Sequence, residues 1–467
     1  MQYSFTVAAH RSECPNGEKD RAKANNEGHT SLFQALTVTA WWATGGGLRD
    51  LTGSPTALTS LGRLTGLYGS LLLLAQVLLM ARLPPLERAF GQDRLARLHR
   101  LVGFGSLNLV LAHLGLITGG YAAGQLRRTP ATLWDLTANY PGMLLAVGGT
   151  VALVLVAVTS VRAARRRLRY ESWHLLHLYA YLGAGLALPH QLWTGQQFIS
   201  SPARAAFWWT AWGACAGSVV VWRVIRPLLL NLRHRLVVSA VVPEAPGIWS
   251  VHLAGRRLDK LPARAGQFVI VRFLRRPGWT RGHPYSLSAA PDGRHLRITV
   301  RAVGDGSGQV PRLEPGTRVL FEGPYGRLTG RARTRHKVAL FGAGVGMAPL
   351  RALAEELPYR HGDAVYLERH SGPPLFVSEV DRLAARRGLR VLRLTGPRRR
   401  PDSWLGSHAP AALHRLDDTG ALLHLVPDIA ERDVYLCGPT PWLRAMTRTL
   451  EHAGVPADRV HDETFGW

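Results

Sequence analysis

Cysteine is scarce in this sequence. The 467 residues contain three cysteines, Cys14, Cys215 and Cys437, which lie far apart along the chain. This number and spacing exclude a disulfide framework, a cysteine-based zinc site and an iron–sulfur cluster. A plant-type ferredoxin module is therefore excluded as well.

Acidic residues are also few. The chain has 31 Asp and Glu against 57 Lys and Arg, which gives a formal net charge of +26. Such a balance is typical of proteins that bind nucleic acid or an anionic membrane surface. The arginines gather at the ends of apolar runs, for example Arg94, Arg97 and Arg100, as in the cytoplasmic loops of membrane proteins. The distribution predicts a lipid bilayer as partner and no nucleic acid.

Long apolar runs are present in the first half of the chain. They cover about residues 31–46, 61–82, 97–121, 141–161, 174–193 and 205–230. Their lengths predict a six-helix transmembrane bundle over residues 31–231, preceded by a disordered cytoplasmic tail over residues 1–30. Five arginines in each of the segments Arg82–Arg100 and Arg162–Arg169 predict a multi-pass protein of the cell membrane with both termini in the cytoplasm.

Two of these runs carry histidines, which are costly inside a membrane and mark functional sites there. The third run has His99 and His113, about 21 Å apart along a helix. The fifth has His174 and His177 near its cytoplasmic start and His190 near its outer end. Two helices with histidines at matched depths supply axial ligands for two stacked haems. By depth, His99 and His177 form an inner pair, and His113 and His190 an outer pair.

Spacing alone leaves the inner ligand of the fifth run open. Neither His174 nor His177 shares a helix face with His190 on an ideal helix, although Pro189 can kink the helix and turn His190 inward. An interhelical hydrogen bond is the alternative role for any single histidine. Arg63, at the outer start of the second run, is either an interfacial anchor or a contact for a haem propionate or an anionic acceptor.

After Arg235 the continuous apolar runs give way to short alternating segments separated by Gly and Pro. This pattern predicts an antiparallel β-barrel over residues 232–330. It contains the segment His283-Pro284-Tyr285-Ser286 and the turn Gly304-Asp305-Gly306-Ser307. An aromatic side chain beside a hydroxyl suits a flat ring, and a glycine-rich turn suits a pyrophosphate. An ordinary hairpin with a core tyrosine is the alternative.

The last third of the chain has a different pattern. A β-branched strand leads into a turn with Gly342, Gly344 and Gly346, then into a helix with Pro349 in its first turn. Such a turn places helix N-terminal amides against a phosphate. Further strand–helix pairs predict a doubly wound α/β domain over residues 331–467.

One later strand of this domain ends in Cys437-Gly438-Pro439. This is the edge at which doubly wound sheets bind their ligands. Taken alone, Cys437 would be a buried apolar residue.

Together these residues resemble the ferric reductase and NADPH oxidase superfamily, in a bacterial form. The resemblance covers nearly the whole chain from about residue 33. It implies that His99, His113, His177 and His190 bind two b-type haems. The family pattern selects His177 over its neighbour in the fifth run.

In the second half, the resemblance implies a FAD site and a nicotinamide site. The implied FAD residues are His283, Pro284, Tyr285, Ser286, Gly304, Gly306 and Ser307. The implied NAD(P) residues are Gly342, Gly344, Gly346, Pro349, Cys437, Gly438 and Pro439. An aromatic side chain at the C-terminus, Trp467 or Phe465, is expected to cover the flavin ring. Ser286, Cys437 and Trp467 are the residues expected to act beside the reacting rings.

The implied activity is that of a transmembrane oxidoreductase. NAD(P)H reduces FAD, and electrons then pass through two haems to an outer acceptor, a ferric complex. One alternative is a superoxide-forming oxidase that uses O2, although Ile117 stands where such members have a further histidine. Another is a non-catalytic haem-binding membrane subunit. Arg369 or the run Arg398–Arg400 is a candidate for a 2′-phosphate contact, with a solvated basic loop as the alternative, so NADPH and NADH both remain open.

Overall fold

The computed structural model describes residues 36–161, 170–195, 199, 201–275, 282–304 and 306–464. Contacts within the chain divide it between Arg226 and Pro227 into two compact units. The first unit is helical, and the second contains the described strands. A helical region thus precedes a sheet-containing region, in the predicted order. The tail predicted over residues 1–30 lies outside the described residues.

The first unit consists of helices joined by short connections. They are α1 (Ser54–Met80), α2 (Pro84–Phe90), α3 (Gln92–Tyr121), α4 (Thr129–Asn139), α5 (Met143–Ser160), α6 (Tyr170–Thr194) and α7 (Pro202–Val219). Residues 36–42 are also helical. Proline stands in the first turn of α1, α2, α4 and α7, where its missing N–H costs no hydrogen bond. Helix α1 packs along α3, and α5 packs along α6.

Glycines allow these two helix pairs to approach closely. A Cβ added to Gly66 of α1 would lie 2.5 Å from Nδ1 of His113 on α3. One added to Gly149 of α5 would lie 2.7 Å from the carbonyl oxygen of Gly183 on α6. The four-residue interval from Gly62 to Gly66 is typical of close helix contacts in membranes. Larger residues would therefore separate the helices.

Four helices in the described part of the chain are long and apolar enough to cross a membrane. They are Pro55–Met80, Arg94–Tyr121, Met143–Ser160 and Pro202–His234. The predicted count of six spans is therefore not confirmed. The first predicted run begins outside the described residues, and the fifth corresponds to α6. Helix α6 has 25 residues, but its three histidines and Glu171 make it less apolar than the other four.

The last of these helices extends beyond α7. It continues through a π-helical segment, Val220–Ile225, into α8 (Arg226–His234). Leu230 of α8 packs against the core of the second unit. Asn231 donates to the carbonyl of Phe321 at 2.8 Å and accepts from its N–H at 2.9 Å. These contacts fix one face of α8 on the second unit.

The second unit begins with two three-stranded antiparallel sheets. The strands are β1 (Val237–Ala245), β2 (Ile248–Ala254), β3 (Phe268–Phe273), β4 (His283–Ser286), β5 (His295–Arg301) and β6 (Val319–Tyr325). One sheet has the order β1-β2-β5 and the other β4-β3-β6. Isolated bridges join Val237 to Arg318 and Leu287 to Ile298, and both sheets contribute to one apolar core. The predicted closed barrel is not confirmed; the structure has two bridged sheets here.

A six-stranded sheet follows. Its strands are β7 (Val338–Ala343), β8 (Ala364–Arg369), β9 (Arg390–Arg398), β10 (Gly406–His408), β11 (Asp433–Gly438) and β12 (Val460–Thr464). Their order is β10-β9-β8-β7-β11-β12, and all neighbours are parallel except β9 and β10. Successive residues of β7, such as Leu340 and Phe341, belong to different buried clusters. Both faces of this sheet are therefore covered, as parallel sheets require.

The helices of this region are α9 (Met347–Glu356), α10 (Val377–Arg387), α11 (Asp418–Leu425) and α12 (Thr440–His452). A buried ion cluster joins two of them to the antiparallel sheets. Glu379 of α10 pairs with Arg297 of β5 at 2.7 Å and with Arg351 of α9 at 2.7 Å, and both arginine side chains are at most 9% exposed. Although burial acts in the opposite direction, the hydrogen bond from Arg297 and the arginine charges hold the pKa of Glu379 below its usual value. Removing one member would leave a buried charge unpaired.

Asp433 anchors the start of β11. Its carboxylate is fully buried and accepts hydrogen bonds from the N–H of Thr334 at 2.6 Å and from its hydroxyl at 3.0 Å. The N–H of Arg335 also donates to it, and Nε2 of His461 lies 3.2 Å away. Burial alone would raise the pKa of Asp433, but these hydrogen bonds, that of His461 foremost, hold it below its usual value.

We expect Asp433→Asn to destabilise the second unit by about 1–3 kcal/mol at pH 7, because several buried donors would lose a charged acceptor. The pKa of Asp433 is lower in the folded state than the unfolded value of about 3.9. The carboxylate therefore contributes stability above that pH, and the contribution is lost as pH falls through the folded-state pKa. The measurement is the apparent Tm by circular dichroism as a function of pH. Asp458→Asn, at an exposed carboxylate, is the control, and equal losses in both variants would contradict this assignment.

Candidate functional site

Two pairs of histidines face each other between α3 and α6. The imidazole centroids of His99 and His177 are 5.9 Å apart, and those of His113 and His190 are 6.4 Å apart. These are the two pairs expected from helix depth. The ring in contact with His99 is that of His177. Whether these imidazoles bind iron stays a prediction.

Helix α1 orients the two histidines of α3. Nδ1 of His99 donates to the carbonyl of Gln76 at 3.0 Å, and Nδ1 of His113 donates to the carbonyl of Gly62 at 2.7 Å. A carbonyl oxygen can only accept, so each Nδ1 carries the proton and each Nε2 keeps its lone pair. A neutral imidazole in this tautomer is the form that binds a metal through Nε2.

Helix α5 and the residue before it position the histidines of α6. Nδ1 of His177 lies 3.3 Å from Oγ of Ser160, and Trp173 donates to the same hydroxyl at 3.3 Å. Gly142, directly before α5, has a φ of +79°, and a Cβ added there would lie 2.7 Å from the backbone nitrogen of His190. A side chain at this position would displace the last turn of α6 from the site.

The two pairs fit an iron with two axial imidazoles. An imidazole nitrogen lies about 2 Å from a first-row metal that it binds, so two rings on opposite sides of one metal have centroids roughly 6 Å apart. The observed values of 5.9 and 6.4 Å agree with this arrangement. No group of three or more His, Cys, Asp and Glu that could hold a metal ion occurs among the described residues. Each histidine pair offers two imidazole donors, which suits an iron whose other ligands come from a macrocycle, as in haem.

Arg63 has a partner within the chain. Its guanidinium pairs with Asp50 at 3.4 Å, and the two side chains are 32% and 33% exposed. The predicted contact with a propionate or an anionic acceptor would compete with this pair. Ile117, one turn beyond His113, packs against α1, because a Cβ added to Gly62 would lie 2.9 Å from its Cδ1.

The predicted FAD residues meet on β4 and in the turn after β5. Ser286 pairs in register with Phe268 of β3 and is 4% exposed. Its hydroxyl has no hydrogen-bond partner in the part of the chain that the structure describes. Gly306 lies against His283, since an added Cβ would be 2.4 Å from Nε2. A buried hydroxyl without a partner is costly, so Ser286 fits a polar atom of a bound ring such as a flavin.

Tyr285 lies next to His283 on β4, and their ring centroids are 6.2 Å apart. Burial raises the pKa of the Tyr285 phenol, so its hydroxyl stays protonated at neutral pH. Pro284 stands between them and pairs in register with Ile270 of β3. The His-Pro-Tyr-Ser segment therefore forms a regular edge strand.

The turn from Gly304 to Ser307 is closed by its own serine. Oγ of Ser307 accepts from the N–H of Val303 at 3.1 Å and from that of Gly304 at 3.2 Å. The N–H of Gly304 is thus engaged within the protein, which leaves the expected pyrophosphate contact to other amides of the turn. Asp305 lies outside the described residues.

The predicted nucleotide residues meet where the strand order reverses. The chain leaves β7 towards β8 and β9, whereas β11 and β12 lie on its other side. The turn Gly344–Gly346 follows β7, and Cys437 and Gly438 end β11. A Cβ added to Gly346 would lie 2.4 Å from the carbonyl oxygen of Cys437. Doubly wound sheets bind ligands in the crevice at this position.

Helix α9 begins directly after this turn. Gly344 has a φ of +57°, and no atom lies within 4 Å of the position of an added Cβ, so the turn has open space beside it. Gly342 packs tightly, with an added Cβ 2.5 Å from Sδ of Met347. Pro349 is buried in the first turn of α9, where it removes none of the helix hydrogen bonds. The N–H of Met347 donates to the carbonyl of Gly344, so an anion would meet the open side of the turn and the positive end of the helix.

The thiol of Cys437 lies inside the sheet. It is fully buried, and its Sγ donates to the carbonyl of Glu463 at 3.6 Å. Burial raises the pKa of this thiol well above its usual value, so it stays protonated. The expected position of Cys437 beside a nicotinamide ring stays a prediction. In that position the protonated thiol would pack against the ring and would not react as a thiolate. Pro439 follows as the N-cap of α12.

Among the arginines considered for a 2′-phosphate, Arg369 differs from the rest. It is 4% exposed, its Nε has no hydrogen-bond partner among the described residues, and burial and then Arg398 lower its pKa. Arg398 and Arg399 donate to backbone carbonyls, and Arg400 lies 3.8 Å from Asp418. Arg369 is therefore the candidate with unused capacity for an anion.

Phe465 and Trp467, expected to cover the flavin, lie outside the described residues. Strand β12 ends just before them. A Cβ added to Gly326, directly after β6, would lie 3.0 Å from Oε1 of Glu463 and 3.3 Å from Cδ1 of Phe268. The end of β12 therefore lies beside the antiparallel sheet that carries Ser286.

The sequence reasoning missed the groups that hold the histidines. Gln76 and Gly62 act through their carbonyl oxygens, which every residue has, so no side-chain pattern marks them. Ser160 acts through its hydroxyl at the end of a helix. The interval from Gly62 to Gly66 was the available signal, because it predicts a close neighbour for α1.

We expect Gly346→Ala to weaken NAD(P)H binding, because the added methyl group would meet the backbone of Cys437 at 2.4 Å. Overpacking of this kind costs about 1–3 kcal/mol, equal to about five- to 150-fold in affinity. The measurement is the KM for NADPH with ferricyanide as electron acceptor. Gly372→Ala, where nothing lies within 4 Å of an added Cβ, is the control. A KM unchanged in both variants would contradict the proposed location of the nucleotide site.

Comparison with known proteins gives matches for both parts of the chain. Residues 65–188 match the family described as ferric reductase like transmembrane component. The flavohemoprotein of Chromobacterium violaceum is 33% identical over 239 residues, which are 48% of this chain and 58% of that protein. The flavohemoprotein of Xylella fastidiosa is 30% identical over 244 residues, 50% of this chain and 59% of that protein. The chain thus spans less than two thirds of the length of these relatives.

A solved structure is also similar. The flavohem-like FAD/NAD binding domain of nitric oxide dioxygenase from Vibrio cholerae matches 50% of this chain and 100% of its own, with 24% identity and a TM-score of 0.40. That TM-score is too low to support a conclusion on fold or function. From the sequence matches, the chain contains a region that matches the ferric reductase like transmembrane component and a region similar to flavohemoproteins.

Proposed function

We propose that this protein carries electrons from cytosolic NADPH through FAD and two b-type haems to a ferric complex on the outer side of the membrane. The observation that carries the proposal is the presence of two facing histidine pairs between one pair of helices. Their spacing along α3 is about 21 Å, so each pair lies near a different membrane surface. If the histidines only held the helices together, one pair would be enough. A second pair at another depth suggests a second metal centre.

The helical unit contributes placement and tuning of the metal centres. When bound, haem iron changes its oxidation state by one electron and FAD converts a hydride into single electrons. The carbonyls of Gln76 and Gly62 hold the ligand imidazoles of α3 in the Nδ1–H tautomer. Ser160 has the corresponding position beside His177. These hydrogen bonds also raise the basicity of the ligating nitrogen.

The second unit contributes the binding surfaces for the flavin and the nucleotide. Ser286 offers a buried hydroxyl with unused hydrogen-bonding capacity, and Gly346 permits the close approach of two loops. The open turn at Gly344 and the start of α9 form the phosphate site in this assignment. Arg369 supports NADPH over NADH as the substrate. The positive charge of its buried guanidinium would be neutralised by the 2′-phosphate, which NADH lacks.

We extend the proposal to the organisation of the chain. Residues 31–231 form a six-span haem domain, residues 232–330 a FAD-binding barrel and residues 331–467 the NAD(P) domain. The arginine-rich segments Arg82–Arg100 and Arg162–Arg169 support a cell-membrane protein with both termini in the cytoplasm. Helix α6 counts as a span because its histidines face those of α3.

A ferric complex is the proposed acceptor for two reasons. The matched family is named for ferric reduction, and Ile117 supplies an apolar side chain at the outer end of α3, packed on Gly62. A dedicated oxygen pocket would need a hydrogen-bond donor there. The presence of flavin and nucleotide residues argues against a non-catalytic haem-binding subunit.

We expect anaerobic NADPH to reduce the haem of the purified holoprotein, and ferric citrate to reoxidise it faster than O2 does. The measurement is the haem absorbance after each addition, with NADH tested in parallel. Haem that stays oxidised with NADPH and FAD present would overturn the proposal. Faster reoxidation by O2 would favour the superoxide-forming alternative.

We also expect His113→Ala and His190→Ala each to reduce the haem content from two to one per chain, because each removes one axial ligand of the same centre. The remaining haem should still be reduced by NADPH. The measurement is the haem-to-protein ratio in purified protein. His174→Ala is the control and should keep both haems. Retention of two haems in both test variants would show that these residues are not a ligand pair.

A further inference from the structure

Helix α8 has one face that is packed and one that is not. On the packed face, Leu230 contacts the core of the second unit and Nδ1 of His234 donates to the carbonyl of Arg256 at 3.0 Å. The opposite face exposes Leu228, Leu229 and Leu232 by 56%, 58% and 57%. Three adjacent leucines exposed to this extent mark a surface that binds a partner.

Arginines lie beside these leucines. At about 100° per residue, Arg226 and Arg233 lie along one edge of the leucine stripe. Arg235 directly follows the last residue of α8 and has a φ of +43°. Arg233 and Arg235 are exposed, and α8 contains no acidic residue. An apolar stripe with arginines along its edge and just after its last turn is typical of helices that lie at a membrane–water interface. A second copy of the chain would bring the same cations together and be repelled.

The length of the helix supports the same partner. The continuous helix Pro202–His234 has 33 residues, which corresponds to about 50 Å, whereas the hydrocarbon core of a bilayer is about 30 Å thick. A straight helix that began at one surface of the hydrocarbon core would extend beyond the other surface. Leu228, Leu229 and Leu232, in its last turns, would then lie outside the hydrocarbon core. The π-helical segment Val220–Ile225 precedes α8, and such segments are places where a helix changes direction.

We propose that α8 lies along the membrane surface, with Leu228, Leu229 and Leu232 against acyl chains and the flanking arginines on anionic phospholipid headgroups. Through Asn231 and His234, this helix holds the antiparallel sheets of the second unit at the lipid surface. The surface is distinct from the haem and nucleotide sites, and the proposal does not depend on which acceptor is reduced.

The test places a bimane fluorophore on a cysteine introduced at position 228 or 232 of the full-length holoprotein. The background is Cys14→Ser, because Cys215 and Cys437 are buried. The protein is reconstituted in vesicles of phosphatidylcholine and phosphatidylglycerol. Doxyl-labelled lipid should quench the fluorophore several-fold more than it quenches one at Leu423, a leucine of α11 that is 39% exposed. Aqueous iodide should show the reverse order, and iodide quenching equal to that at Leu423 would overturn the proposal.

A second measurement tests the headgroup contact. At equal mole fraction, doxyl-labelled phosphatidylglycerol should quench the fluorophore at position 232 several-fold more than doxyl-labelled phosphatidylcholine, because arginines near the surface attract anionic lipid. Arg233→Gln with Arg235→Gln should remove this preference. Arg386→Gln with Arg390→Gln, which removes the same charge at exposed positions of the second unit, should retain it. Equal quenching by the two lipids in the protein that retains Arg233 and Arg235 would exclude anionic headgroups as the partner.

Discussion

The hydrogen bonds from His99 and His113 to the carbonyls of α1 constrain the whole helical unit. A helix carbonyl that already accepts from an N–H one turn later can accept a second donor only if that donor comes very close. Glycine provides the necessary space, and Gly66 lies directly against the His113 ring. One requirement, that each Nδ1–H reaches a carbonyl oxygen of α1, therefore sets three features. They are the separation of α1 and α3, the tautomer of each imidazole and the direction of each Nε2.

The second unit satisfies a related requirement with different elements. At the reversal of strand order, the turn after β7 and the end of β11 approach so closely that Gly346 has no room for a side chain beside Cys437. In both units the candidate sites depend on backbone atoms brought close by glycine. Charged side chains are used elsewhere, in the cluster around Glu379 and in the bonds that hold Asp433. Those groups hold helices α9 and α10 and the sheets of the second unit together.

The sequence predicted features that depend on local periodicity. The depth of His99 and His113 follows from helix rise, and the strand-turn-helix at Gly342–Pro349 follows from β-branching and glycine. The sequence did not predict contacts between segments far apart in the chain. The pairing of Arg63 with Asp50 depends on the path of the intervening loop, and the engagement of the Gly304 N–H by Ser307 depends on the shape of one turn. The fifth predicted run, α6, is absent from the four helices that hydropathy marks as membrane spans in the described part of the chain, because its histidines are polar.

The burial of Cys437 has a consequence for the durability of the protein. In the proposed electron-transfer role, the protein would be exposed to peroxide, which attacks thiolates far faster than thiols. The sulfur of Cys437 is protonated, inaccessible and held on the carbonyl of Glu463. It is therefore protected from oxidation and alkylation until the sheet itself opens, so loss of this thiol would report unfolding of the domain and not turnover.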